Sequence, residues 1–146
     1  AEYKNKKIGS LSDLTVFSFH PVKAITTGEG GMVLTNKKEI YEKLLLFRTH
    51  GITKNREEMY RDDGDWYYEM KFVGYNYRIT DFQCALGISQ LKKLDSFIKR
   101  RREIAKIYNQ EFENIDEIIT PYEKHDVKSA YHLYVVQFDL KIDILY

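Results

Sequence analysis

Hydrophobic residues near the start of the chain form two short runs separated by a glycine-rich stretch. Leu14–Phe19 and Met32–Leu34 are apolar enough for strands. Between them lie a bend at Pro21 and a cluster of glycines at positions 28–31. The pattern predicts two strands joined by a bend and a glycine turn, with Lys23 at the end of the first strand.

Two later segments have the spacing of helices. Asn36 and Glu39 predict a capping box for the first helix, which we expect to end at Gly51. Thr80 and Gln83 predict a second capping box. The apolar positions after it predict a long helix with a break: Phe82, Ala85, Leu86, Leu91, Leu94, Phe97, Ile98, Ile104, Ala105, Tyr108 and Phe112.

The remaining segments are mostly polar or extended. Residues 53–66 predict a charged surface loop, and residues 66–73 a short strand or extended segment. Tyr131–Leu140 predicts a strand of a new sheet. Four consecutive basic residues, Lys99–Arg102, point in several directions around one helix turn, so we interpret them as a solvated helix face rather than a nucleic-acid site.

Composition and charge narrow the class of protein. With 43% hydrophobic and 31% charged residues, the chain has the composition of a globular protein. Its 23 basic and 22 acidic residues create no net field for nucleic acid or an anionic membrane. A lone cysteine, Cys84, and the lack of a long apolar run favour the cytoplasm. The four histidines and Cys84 lack metal-ligand spacing, so we predict no metal site.

Lys23 is the strongest candidate for chemistry. A lysine on a partly buried bend loses hydration, which favours the free amine that attacks aldehydes to form a Schiff base. Ser18, five residues earlier, could hold a phosphate beside it. The alternative from the residues alone is a solvated surface lysine, which is the commoner fate near a glycine turn.

Four sequence blocks resemble one enzyme family. The segment Phe17–Gly31 resembles the signature of the DegT/DnrJ/EryC1/StrS sugar aminotransferases, which use pyridoxal 5'-phosphate. Three further blocks agree in the same order, at Arg48–Gly51, Gly74–Asp81 and Tyr131–Tyr134. The residues around Lys23 are most similar to the branch that aminates C4 of UDP-linked 4-keto-6-deoxy-N-acetylhexosamines on the route to pseudaminic acid.

The resemblance implies an α/β fold of the aspartate-aminotransferase type (fold type I). The chain would be an interior fragment, with residues 1–79 ending the large cofactor-binding domain, 80–113 forming a long connecting helix and 114–146 starting the small C-terminal domain. In the family, other parts of the cofactor site precede the matched segment. We therefore expect these 146 residues to be inactive alone.

Site residues follow from the resemblance by position. Lys23 would bond to the cofactor and shuttle a proton, and Ser18 would bind its phosphate. Asn76 would reach the phosphate of the neighbouring subunit in a homodimer with shared active sites. The implied substrate or wall residues are His20, Arg78 and His132. Turn formation for Asn76, an ion pair for Arg78 and structural hydrogen bonds for the histidines remain open alternatives.

The resemblance also implies the reaction and its partners. L-Glutamate would donate its amino group, and a UDP-linked 4-keto sugar would receive it. A related branch dehydrates sugars on a similar scaffold but has histidine in place of the lysine, whereas Lys23 is present here. A third interpretation is a non-catalytic folding or dimerisation piece built around the long helix.

Overall fold

The computed structural model describes residues 1–139, which form short antiparallel strand pairs and three α-helices. The strands are β1 (Glu2–Tyr3), β2 (Lys6–Lys7), β3 (Thr15–Ser18), β4 (Gly31–Leu34), β5 (Ile52–Thr53), β6 (Glu69–Met70), β7 (Ile118–Ile119), β8 (Val127–Lys128) and β9 (Gln137–Phe138). The helices are α1 (Lys38–Phe47), α2 (Asp81–Leu91) and α3 (Leu94–Phe112).

The predicted strands at the start of the chain form a hairpin. β3 and β4 pair in antiparallel register, with Thr15 opposite Leu34 and Ser18 opposite Gly31. Elsewhere β1 pairs with both β2 and β8, and β5 with β6 and β7 with β9 make two-stranded ladders. The hairpin prediction is confirmed, and Ser18 is the last residue of β3.

Helix α1 begins one residue later than the predicted capping box allows. Lys37 occupies the N-cap position and makes no side-chain cap bond, so the predicted pair of Asn36 and Glu39 is wrong. The Thr35 hydroxyl accepts from the Lys37 N–H instead, at 3.1 Å. At the other end α1 stops at Phe47, with Arg48 as its C-cap, so it ends four residues before the predicted stop at Gly51. Gly51, with φ +69°, donates to the Leu46 carbonyl at 2.8 Å in the turn that follows the helix.

The second capping box is present in both directions. The Gln83 N–H donates to the Thr80 hydroxyl at 3.3 Å, and the Gln83 side-chain carbonyl accepts from the Thr80 N–H at 3.1 Å. The predicted break is also confirmed, because α2 ends at Leu91 and α3 begins at Leu94.

The charged loop between β5 and β6 is anchored at one carboxylate. Glu69 accepts hydrogen bonds from the Lys71 ammonium, the Tyr60 and Arg61 N–H groups and the Tyr67 hydroxyl. These bonds, the one from Lys71 above all, lower the pKa of Glu69 to about 2. The predicted surface loop is present, and its hydrogen bonds to Glu69 attach it to β6, the strand that follows.

The predicted late strand is mostly absent. Only Gln137–Phe138 pairs as a strand, and Leu140 lies outside the described residues. Tyr131 has φ +43°, which extended strands do not adopt. The carbonyls of Tyr131 and His132 accept hydrogen bonds from the Arg101 side chain rather than from a neighbouring strand.

Much apolar surface remains uncovered. The chain exposes 12039 Å², whereas a compact monomer of 17.4 kDa exposes about 7,900 Å². Among residues 1–139, Ala105 is the one fully buried apolar residue, whereas Phe82 is 92% exposed and Val73 is 81% exposed. Exposed apolar surface on this scale is typical of a face that another polypeptide or a ligand covers.

Within the described part of the chain, no helix combines the length and hydropathy needed to cross a membrane.

Candidate active site

The loop between β3 and β4 folds back on the end of β3. The Phe19 N–H donates to the Gly30 carbonyl at 2.9 Å, and the Phe19 carbonyl accepts from both the Thr27 N–H at 3.0 Å and the Thr26 hydroxyl at 2.8 Å. The loop is thus fixed at both ends, and Lys23 lies within it.

Helix α2 supports this loop from the side. The Gln83 amide donates to the Glu29 carbonyl at 2.8 Å, while its carbonyl serves the Thr80 cap. The buried Thr27 hydroxyl donates to the same Glu29 carbonyl at 2.7 Å. The sequence predicted the cap but gave no sign of this second role of Gln83.

Two glycines in the loop differ in the space around them. Gly30 has φ +146°, and a Cβ there would lie 2.6 Å from the Thr27 hydroxyl oxygen. Gly28 also has positive φ, at +80°, but a Cβ there would meet no atom within 4 Å. Of these two glycines, Gly30 alone combines an unfavourable backbone angle with a steric clash.

We expect Gly30→Ala to destabilise the whole protein by about 2–4 kcal/mol, from backbone strain and overpacking together. Gly28→Ala should cost only about 1–2 kcal/mol, because strain acts alone. Urea unfolding of both variants checks the difference. Equal losses would contradict the predicted crowding at Gly30.

The half-buried Lys23 contacts His132, a residue from the far end of the chain. Its backbone N–H donates to the His20 carbonyl at 3.0 Å, which fixes the bend. Its Nζ lies 3.3 Å from His132 Nε2, across 109 positions of sequence. The structure thus brings together two of the predicted site residues.

His132 lies in a positive and partly desolvated environment. Burial lowers the pKa of its imidazole, and the neighbouring Lys23 and Arg101 charges lower it further. Its Nδ1 is buried and has no hydrogen-bond partner among the described residues. The ring is therefore neutral at pH 7 and retains one unused polar atom.

Helix α3 holds the segment that carries His132. Arg101 donates to the carbonyls of Tyr131 and His132, each at 3.3 Å. Arg102 donates to the Glu123 carboxylate at 2.8 and 3.1 Å and to the Ser129 carbonyl at 2.8 Å. The interpretation of the basic run as a solvated face is wrong for these two arginines, because their partners lie more than twenty residues away.

The Arg102–Glu123 pair is only partly exposed, and the Arg102 hydrogen bonds lower the pKa of the Glu123 carboxyl. We expect Arg102→Met or Glu123→Gln to destabilise the whole protein by about 1–2 kcal/mol at pH 7. Arg100→Met is the matched control, because the Arg100–Glu103 pair is exposed and should matter little.

The same pair gives a pH dependence of defined sign. A lowered carboxyl pKa stabilises the folded state fully above the usual value of 4.5, and this stability is lost as pH falls from that value through the lowered pKa of the folded state. The stability difference between the wild type and Glu123→Gln should therefore narrow in acid. Unfolding measurements at pH 7 and below pH 4.5 check this, and a constant difference would contradict the role of the charge.

Ser18 and His20 lie at the mouth of the loop. The exposed Ser18 hydroxyl accepts from the His20 N–H at 3.3 Å, which leaves its own hydrogen available to a ligand. His20 Nε2 lies 3.8 Å from the Glu29 carboxylate. Within residues 1–139, no side-chain hydrogen bond joins either residue to Lys23.

Asn76 and Arg78 are exposed on a different segment, next to the end of α1. Asn76 forms an isolated bridge with Thr49, and the Tyr77 N–H donates to the Arg48 carbonyl at 3.0 Å. In the described ranges, neither Asn76 nor Arg78 has a side-chain hydrogen bond to the Lys23 loop. The structure of one chain does not bring these predicted residues to Lys23.

Gly74 fixes the position of this segment. A Cβ at Gly74 would lie 2.2 Å from the Gly51 nitrogen and 2.6 Å from the His50 carbonyl carbon. The two backbones touch, so the turn after α1 sets where residues 75–77 lie.

Comparison with known proteins identifies the family. Residues 1–143 match the sequence model of the DegT/DnrJ/EryC1/StrS aminotransferase family. The chain belongs to this family. The chain is similar to UDP-4-amino-4,6-dideoxy-N-acetyl-beta-L-altrosamine transaminase of Campylobacter jejuni (serotype O:23/36), with 49% identity over 136 residues, or 93% of this chain. GDP-perosamine synthase of Escherichia coli O157:H7 is 39% identical over 134 residues, which are 92% of this chain.

Solved structures of an aminotransferase and of a dehydratase share the fold. The Helicobacter pylori aminotransferase involved in the biosynthesis of pseudoaminic acid is 39% identical with a TM-score of 0.82, over 94% of this chain. The E. coli GDP-4-keto-6-deoxy-D-mannose-3-dehydratase, solved with bound hydrated PLP, is 30% identical with a TM-score of 0.85, over 99% of this chain. The predicted fold is confirmed, and it is common to aminotransferases and a dehydratase.

This chain spans about a third of the length of these relatives: 34% of the Campylobacter transaminase and 35% of the Helicobacter structure.

Proposed function

We propose that the whole protein transfers an amino group from L-glutamate to the keto carbon of a nucleotide-linked 4-keto-6-deoxy sugar, with pyridoxal 5'-phosphate as cofactor. The observation that carries this proposal is the half-buried Lys23, held on the β3–β4 loop with its amine against His132, in a chain of this family. The proposed reaction takes place in the cytoplasm and contributes to the synthesis of cell-surface or flagellar sugars.

The residues present fit the cofactor. Lys23 supplies a primary amine, Ser18 a hydroxyl with a free hydrogen, and His132 a buried nitrogen without a partner in residues 1–139. When bound, the cofactor supplies an aldehyde for attachment and a ring that accepts electrons.

The protein's own residues orient the cofactor and the substrate and transfer protons. We assign attachment of the cofactor to Lys23 Nζ, which, once free, moves a proton to and from the reacting carbon atoms. The Ser18 hydroxyl binds the cofactor phosphate. His20, Arg78 and His132 are the proposed residues on the substrate side.

A homodimer with shared sites is part of the proposal. Asn76 is exposed on a segment that makes no described hydrogen bond to the Lys23 loop of the same chain. Val73 and Tyr77 beside it are 81% and 73% exposed, as expected for residues that another subunit covers. We therefore assign Asn76 to the phosphate of the partner subunit's cofactor.

The sugar is proposed as UDP-linked, in line with the higher identity to the Campylobacter transaminase than to GDP-perosamine synthase. A second candidate function is sugar dehydration, because the E. coli dehydratase has the same fold. Lys23 favours amino transfer, since a lysine amine provides the covalent attachment.

The test uses the whole protein, incubated with pyridoxal phosphate and reduced with borohydride. Peptide mapping should find the cofactor fixed to Lys23, and amino transfer should be measured with UDP- and GDP-linked 4-keto sugars. Lys38→Ala, on an exposed position of α1, is the matched control. Fixation elsewhere, or dehydration without amino transfer, would contradict the proposal.

A further inference from the structure

We propose that His132 is a positioning residue for Lys23, accepting a hydrogen bond from the Lys23 amine at Nε2 with its ring in the Nδ1–H tautomer. This inference rests on the proposed role of Lys23 as the cofactor-bonding amine. The contact that carries it is the 3.3 Å separation of Lys23 Nζ and His132 Nε2.

The tautomer follows from the groups around the ring. In the proposed pair Lys23 Nζ is the donor, so His132 Nε2 is its acceptor. A neutral imidazole with an accepting Nε2 carries its proton on Nδ1. Among residues 1–139, the charged groups that act on the ring are Lys23 from the β3–β4 loop and Arg101 from α3, and both disfavour a second proton.

The position of the His132 ring is fixed through the backbone of residues 131 and 132. Tyr131, the preceding residue, has φ +43°, an uncommon value for a residue other than glycine. The Arg101 guanidinium donates to the carbonyls of Tyr131 and His132 at 3.3 Å each, so α3 fixes the segment at the point of strain. Lys23 on one loop and His132 on another are thereby kept at a defined separation.

The unused Nδ1 supports a functional rather than a purely structural ring. It is buried and has no acceptor among residues 1–139. A buried donor without an acceptor lowers stability, and a catalytic role is one of the reasons for which native proteins keep such a group. A histidine present only for packing could be replaced by an apolar ring without this cost.

The first test needs no turnover. The whole protein without cofactor is labelled with ¹⁵N-histidine, and the ring nitrogens of His132 are read by NMR. We expect the Nδ1–H tautomer at pH 7 and a rise in the pKa of His132 in Lys23→Met, which removes a positive neighbour. An Nε2–H tautomer, or a pKa unchanged in Lys23→Met, would overturn the proposal.

The second test compares substitutions. His132→Gln keeps an acceptor and a donor, whereas His132→Phe keeps only the bulk. We expect His132→Phe to lower kcat about 10–100-fold with little change in KM, and His132→Gln to restore much of that loss. His125→Gln, at an exposed histidine, is the matched control.

Thermal unfolding separates positioning from stability. If His132→Phe and His132→Gln have equal Tm but different kcat, the ring positions Lys23; if kcat falls equally in both, the proposal fails. Borohydride fixation at Lys23 reports the proposed function independently. Its absence, with the Nδ1–H tautomer still observed, would refute the cofactor role of Lys23 and not the contact.

Discussion

Lys23→Ala in the whole protein is expected to lower kcat/KM for amino transfer by at least about 10³-fold, because one amine serves both as the cofactor attachment and as the proton carrier. The same variant should lose borohydride fixation of pyridoxal phosphate. Steady-state kinetics with L-glutamate and the 4-keto sugar, together with peptide mapping, measure both effects.

Two further variants test whether the Lys23 amine itself is required for activity. Lys23→Arg keeps the positive charge beside His132 but cannot form the covalent link at neutral pH, so it should be as inactive as the alanine variant. Lys38→Ala should retain wild-type activity, since Lys38 is exposed on α1. Substantial turnover by either Lys23 variant would contradict the assignment.

Hybrid dimers test whether the active sites are shared. A dimer of one Lys23→Ala subunit and one Asn76→Ala subunit contains one intact pair if Asn76 serves the partner's site. Such hybrids should show about half the wild-type activity, although each parent is impaired. No recovery on mixing would show that Lys23 and Asn76 do not act across a subunit boundary.

Gly74→Ala is the second substitution expected to have a large effect. A Cβ at Gly74 would lie 2.2 Å from the Gly51 nitrogen, and backbone atoms cannot yield as a flexible side chain does. We expect a loss of about 2–4 kcal/mol in stability, and at least about tenfold weaker cofactor binding as the segment carrying Asn76 shifts.

Asn76→Ala is the matched comparison for Gly74→Ala. It removes the exposed side chain and leaves the contact between Gly74 and Gly51 in place. Cofactor affinity should fall about 10–100-fold while stability stays near the wild-type value. Urea unfolding and cofactor titration of the two variants distinguish them. Wild-type stability in Gly74→Ala would contradict the predicted clash.

Local pattern accounts for the parts of the fold that the sequence predicted correctly. Two apolar runs separated by a glycine cluster are enough to predict the β3–β4 hairpin. Thr80 and Gln83 are enough to predict the start of α2. The Asn36–Glu39 box failed because Thr35 offered a competing hydroxyl within two residues. The predicted Tyr131–Leu140 strand is mostly absent because the Arg101 side chain donates to the carbonyls of Tyr131 and His132, which a strand partner would otherwise bind.

The assignments of Ser18, His20, Lys23, Asn76, Arg78 and His132 as site residues and the domain boundaries stay predictions, since the site roles depend on bound ligands and on a second subunit. The family and the fold are established.

The sequence by itself determined where Lys23 lies along the chain, how the hairpin turns around it and which family the motifs indicate, because those features depend on neighbouring residues. The tertiary structure alone decided that His132 meets Lys23 across 109 positions and that Arg101 and Arg102 brace the His132 segment. Such contacts depend on how distant segments pack, and neither periodicity nor spacing in a sequence specifies which distant side chains will meet.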